Sequence, residues 1–231
     1  MVRNVPGRLS KAGEVEAFIA KAASVPAPAD VKGRLVFGID ATMSRQPAWD
    51  RALAIQAEMF RATDAIGGLA VQLVFFRGLR EFQASRWAVN AEALAKRMTG
   101  VTCRGGLTQI ERVLRHTAEE ARRTRVSVLV YVGDAFEEDF AAVSAAAGTL
   151  ALVGVKVFCF HEGRDPAAAE ALREIAWLTG GVYAPFDADA PEKLKDLLAA
   201  AAVYAAGGLT ALRAYAGAKG GEALRIARAL E

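Results

Sequence analysis

From residue 34 onward, short apolar runs alternate with longer amphipathic stretches. Apolar runs of strand length are expected at residues 34–40, 69–76, 79–83, 126–134, 155–160 and 182–186. Between them, helical spacing predicts helices near residues 48–65, 88–98, 108–123, 138–147 and 166–178, with a last one running from Pro191 to about Ala206. In the 108–123 helix the apolar stripe is Ile110, Val113, Leu114, Thr117 and Ala121. Residues 126–134, VSVLVYVGD, are apolar almost throughout, as in a strand covered on both faces. The short turn before residues 79–83 cannot make a parallel crossover, so that polar strand is antiparallel and suits an edge.

This order predicts an α/β fold: a doubly wound, Rossmann-like, mostly parallel six-stranded sheet with one antiparallel edge strand and helices on both faces. Three segments are expected. Residues 1–30 hold an amphipathic helix over 10–24, with Val15, Phe18, Ile19 and Ala22 on one face, and a proline-containing linker. Residues 31–206 form the α/β domain. Residues 207–231 form a C-terminal helical extension bracketed by Gly207-Gly208 and Gly220-Gly221. Ligands of such sheets bind beyond the carboxyl ends of the strands near the switch in strand order, which is where Asp40 and Asp134 fall.

Composition removes several function classes. A hydrophobic content of 53% over 231 residues is ample for one core. Lys and Arg number 29 against 26 Asp and Glu, a net charge of +3, too small an excess to argue for nucleic acid. The densest basic run, Arg122 to Arg125, closes a predicted helix, where cations complement the dipole. Cys103 and Cys159 match no metal spacing and fit a reducing cytoplasm. The long apolar stretches at 141–160 and 197–212 are broken by glycines and read as buried globular segments, so no membrane association is expected.

Three loops converge on one sheet edge: DATMS at 40–44, GGLTQI at 105–110, and GD at 133–134. They carry two carboxylates and three hydroxyls, with no histidine or thiolate. Oxygen donors suit a hard cation, Mg²⁺ first and Mn²⁺ or Ca²⁺ next. So few anionic ligands leave room for water or an incoming carboxylate. The pattern Asp40-x-Thr42-x-Ser44, then Thr108 after Gly105-Gly106, then Asp134, resembles the metal-ion-dependent adhesion site (MIDAS) of von Willebrand factor A (VWA) domains, of the intracellular bacterial type. The resemblance covers roughly residues 34–206. It implies that Thr42, Ser44 and Thr108 supply hydroxyls, while Asp40 and Asp134 supply charge and orient waters. It also implies a non-catalytic, cytoplasmic, Mg²⁺-dependent interaction module that binds a protein presenting Asp or Glu, within an assembly beside a chaperone or an ATPase. Thr42 stands where the family's first Ser is usual, Met43 where a small residue is frequent, and Leu107 separates the glycines from Thr108.

Singly, these residues have plainer readings. Asp40 could cap a turn, and Thr108 with Glu111 could form a capping box. Asp40 followed by GDAFEED at 133–139 also imitates a haloacid-dehalogenase-like phosphatase with Asp40 as nucleophile. Thr42 stands where that chemistry needs a second acid, and no lysine occurs between Lys96 and Asp134. A third reading is a structural interaction protein with a vestigial metal site. Arg45 and Trp49 are candidate contacts on the partner rim, with Trp49 on the inner face of its helix as the alternative.

Overall fold

The structure is a computed structural model that describes residues 32–187 and 190–231, without the Ser44 side chain. The helix expected over residues 10–24 and its linker lie outside the described residues. Strands β1 (Gly33–Asp40), β2 (Leu69–Arg77), β3 (Glu81–Ala84), β4 (Val128–Gly133), β5 (Lys156–Glu162) and β6 (Val182–Phe186) form one sheet in the order β3-β2-β1-β4-β5-β6. Only β3 runs antiparallel, paired to β2 from Val74↔Ala84 to Arg77↔Glu81 at the edge. The order reverses between β1 and β4, which places the switch at the ends of those two strands.

The central strands are apolar on both sides because both faces are covered. Phe37, Ile39, Val130, Val132 and Phe160 pack into one cluster; Val36, Leu129, Tyr131 and Cys159 pack into the other. Helices α1 (Gln46–Ile55), α2 (Ala57–Arg61) and α3 (Ala91–Met98) contribute to the first cluster. So do α7 (Pro191–Lys219) and α8 (Gly221–Ala229). Helices α4 (Ile110–Arg123), α5 (Phe140–Leu152) and α6 (Pro166–Leu178) cover the opposite face.

The helix expected over residues 48–65 is divided. A 3₁₀ turn at Met43–Arg45 leads into α1, the direction changes after Ile55, and a second 3₁₀ turn at Asp64–Ile66 follows α2. Helix α7 turns at Gly208, whose φ of 67° and ψ of −164° glycine adopts without the clash a Cβ brings. Helical hydrogen bonding resumes beyond it, so α7 is longer than expected. Among the described residues it is the one helix long and apolar enough to cross a membrane, and 56% of its most apolar window is buried inside the protein.

Candidate functional site

The ends of β1, β4 and β5 lie level, since Ile39 pairs Val132 and Val132 pairs Phe160. Each of these ends delivers a carboxylate: Asp40, Asp134 and Glu162. Asp40 is 1% exposed, and its Oδ1 accepts the Thr42 N–H at 2.7 Å. Burial pushes its carboxyl up to about 6, and the neighbouring Asp134 charge adds to the rise. The Thr42 N–H and hydroxyl and the Arg45 charge pull the other way. Asp134 keeps part of its side chain open, yet its Oδ1 is buried without a hydrogen-bond partner.

Backbone bonds stitch the converging loops together. The Ala41 N–H donates to Phe76 O at 3.0 Å, and the Arg104 N–H to Ala41 O at 3.0 Å. Gly106 lies so close to the β2–β3 turn that a Cβ there would stand 2.1 Å from Gly78 O, so the sequence needs glycine to bring this loop in. Thr108 is thereby buried at the site. Its hydroxyl accepts the Glu137 N–H at 3.0 Å, and its own N–H donates to Glu137 Oε2 at 3.2 Å.

The capping box of Thr108 with Glu111 is not what starts α4. Gln109 precedes the helix without a side-chain cap. Glu138 reaches over from the next loop and accepts the N–H groups of Ile110 at 2.5 Å and Glu111 at 2.9 Å. Asp139 caps α5 by accepting the Ala142 N–H at 2.7 Å. The acidic run 137–139 therefore satisfies orphan helix and loop donors.

Thr42, with 8% of its surface exposed, follows Asp40 after β1, and Thr108, with 4%, lies on the loop that the Arg104 N–H ties to Ala41 O. Ser44 lies on the 3₁₀ turn that follows Thr42. The two proposed rim residues are not on a rim. Arg45 is 2% exposed and turned inward. Its Nη1 donates to Glu162 Oε2 at 2.5 Å and lies 3.7 Å from Asp134 Oδ2. Arg51 pairs with the other Glu162 oxygen. Trp49 is 1% exposed, packs edge-on to Phe75 at 5.5 Å, and donates from Nε1 to Met98 O at 3.2 Å. A large apolar ring beside two facing strands gains more from the core than from solvent.

Glu162 escapes a reading that ends the fifth strand at Phe160. The available signal is an acid two residues beyond an apolar run, at the same sheet edge as Asp40 and Asp134. Burial pushes the Cys103 thiol up to about 11, away from the thiolate form.

The donor set fits a hard divalent ion. It is all oxygen and includes a buried carboxylate oxygen with no partner. It does not rest on a carboxylate or imidazole cluster: among the described residues no group of three or more His, Cys, Asp or Glu is placed to hold a metal. One feature opposes it: the Arg45 guanidinium already lends positive charge to Asp40 and Asp134.

No family model and no curated protein matches the chain. Solved structures share its fold. The von Willebrand factor domain of the type V pilus tip protein Mfa5 from Porphyromonas gingivalis is 9% identical, with a TM-score of 0.60 over 75% of this chain and 94% of that one. A von Willebrand factor type A protein from Catenulispora acidiphila is 18% identical, with a TM-score of 0.56 over 75% of this chain and 43% of that one. Proximal thread matrix protein 1 from the mussel byssus, with a zinc-occupied MIDAS motif, is 16% identical, with a TM-score of 0.57 over 75% and 48%. The chain spans less than half the length of the last two.

Proposed function

From the von Willebrand factor A fold of this chain, we propose a divalent-metal-dependent protein-interaction module. Asp40, Thr42, Ser44, Thr108 and Asp134 would hold the ion, Mg²⁺ first and Mn²⁺, Zn²⁺ or Ca²⁺ as alternatives. When bound, it supplies an open coordination position for an acidic side chain of a partner protein. The observation that carries this reading is the pair Asp40 and Asp134. Two mutually repelling carboxylates end adjacent strands at the switch point, and a buried Asp134 oxygen has no hydrogen-bond partner. The mussel protein of the same fold, with its zinc-occupied MIDAS motif, supports a divalent ion as the class of ligand.

The residues have separate tasks. Asp40 fixes the Thr42 loop through its N–H bond and contributes negative charge from a buried position. Glu137 and Glu138 hold Thr108 and the start of α4 in place. Glu162 anchors Arg45, which lowers the repulsion between the two aspartates. No turnover is assigned to this arrangement. A nucleophilic Asp40 would have to reach a phosphate from a carboxyl that is 1% exposed, and Thr42 still stands where a general acid would be needed.

Arg45 favours one rival, a vestigial site in which the guanidinium stands in for the ion. Calorimetric titration with Mg²⁺ and Mn²⁺ separates the two readings. Saturable binding that Asp40→Asn abolishes supports the metal site; no binding to the unaltered chain supports the vestigial one.

A further inference from the structure

Beside the cleft, three large apolar side chains stand in solvent: Met43 at 69% exposure, Leu79 at 90% and Leu107 at 59%. Single exposed apolar residues are ordinary, but three around one mouth are not explained by packing. They come together for a structural reason. Gly106 packs on Gly78, which brings the hairpin tip bearing Leu79 beside the loop bearing Leu107. Met43 reaches the same loop, its Cε being 3.9 Å from where a Cβ on Gly105 would stand.

Between hairpin and loop lies a hollow of about 450 Å³ lined by Leu79, Arg80, Leu107, Thr108, Gln109 and Arg112. Thr108 is therefore a wall of the hollow as well as a member of the candidate metal site. The tip is clamped rather than loose. Arg112 donates from Nη1 to Arg80 O at 2.9 Å and lies 4.8 Å over the Phe82 ring.

The charge around the hollow is one-sided. Glu81 is engaged by Arg77 at 2.7 Å, with Arg104 at 3.9 Å, and Glu111 is paired to Arg115 at 2.7 Å. Glu137 and Glu138 are turned to loop and helix N–H groups. Arg80 and Arg112 are exposed, and no carboxylate lies within ion-pair distance of either among the described residues. The wall of the hollow is apolar and its rim is cationic. That complements a segment carrying an acid and a bulky apolar side chain together, and it repels a basic one.

We propose that this hollow is a specificity pocket for a partner protein segment in which an Asp or Glu is adjacent to a bulky aliphatic or aromatic residue. The acid reaches the Asp40, Thr108 and Asp134 cleft while its neighbour fills the space between Leu79 and Leu107. The acid's place rests on the metal-site reading above; the pocket's place rests on the exposed apolar residues and on two arginines that have no carboxylate partner.

The test is a displayed library of short peptides with one fixed central glutamate and randomised flanks, selected on the full chain in Mg²⁺. Enrichment of Leu, Ile, Met or Phe at one fixed spacing from the glutamate is expected. A selected peptide, fluorescently labelled, should bind Leu79→Ser about tenfold or more weakly by anisotropy, the scale set by burying one leucine side chain. Arg80→Glu should weaken it as well. No apolar preference, equal binding by Leu79→Ser, or a signal traced to association of two copies of the chain would overturn the pocket. Binding that persists in EDTA yet is lost in Leu79→Ser keeps the pocket and rejects the metal. Mg²⁺ binding by calorimetry with no apolar preference among the selected peptides keeps the metal and rejects the pocket.

Discussion

The Arg45 guanidinium lies 3.7 Å from Asp134 Oδ2 with 3% of its side chain exposed, so a fixed cation sits inside the cleft proposed for a metal ion. Its main anchor is Glu162, and its Nε and Nη2 are buried without partners. A guanidinium and a divalent ion compete for the same carboxylates. Arg45→Met should therefore raise Mg²⁺ affinity, read by calorimetry. It should also lower metal-free stability by about 3 kcal/mol, because removing one partner leaves Glu162 buried with half its compensation. Urea unfolding checks the second effect. Unchanged Mg²⁺ affinity would mean that Arg45 does not influence the site.

Asp40 gives the metal-free protein a specific pH dependence. Its folded-state pKa is about 6 against an ordinary 3.8. Between those values the folded chain binds more protons than the unfolded chain, so stability falls as pH rises. This contribution is fully present below about pH 3.8 and lost by about pH 6, and it is on the order of 3 kcal/mol. Asp40→Asn should flatten that part of a stability profile from urea melts in EDTA and leave the variant more stable at neutral pH. A profile identical in the two proteins would contradict the raised folded-state pKa of Asp40.

Glu138 caps α4 across the chain, and its loss should show in thermal melts. Glu138→Ala removes acceptors for the Ile110 and Glu111 N–H groups and should cost about 1–2 kcal/mol. Glu111→Ala, at the acid the local capping box invokes, should cost less than about 0.5 kcal/mol. The reverse order would restore the local cap.

Trp49 is a core residue, and its substitution should separate stability from binding. Trp49→Phe loses the Nε1 bond to Met98 O and some contact with Phe75, for about 1–2 kcal/mol in a denaturant melt. Mg²⁺ affinity should stay within about twofold, since the ring is on the far side of its helix from solvent. A large loss of metal binding would place Trp49 nearer the site than its packing indicates.

The sheet was legible because its chemistry is local. Runs such as residues 126–134 are apolar on both alternations, and a turn too short for a crossover, residues 78–80 in the structure, allows only an antiparallel third strand. Asp40 and Asp134 were legible because both end such runs. Side-chain direction was not. Nothing local in "SRQPAW" distinguishes an Arg45 that faces a partner from one drawn inward, because its anchor, Glu162, is 117 positions away in sequence. Helix starts shifted for the same reason. Residues 108–109 and 138–139 do not begin helices, because Thr108 bonds Glu137 and Glu138 bonds the first turn of α4. Those are tertiary bonds between loops, and no periodicity carries them.

Titration of Mg²⁺ into the full chain at neutral pH, followed by calorimetry, tests the central claim most directly. A saturable single-site isotherm is expected for the unaltered protein and none for Asp40→Asn, with the variant's circular dichroism spectrum unchanged. No saturable binding by the unaltered protein, or an equal isotherm for Asp40→Asn, would contradict a metal ion held between Asp40 and Asp134.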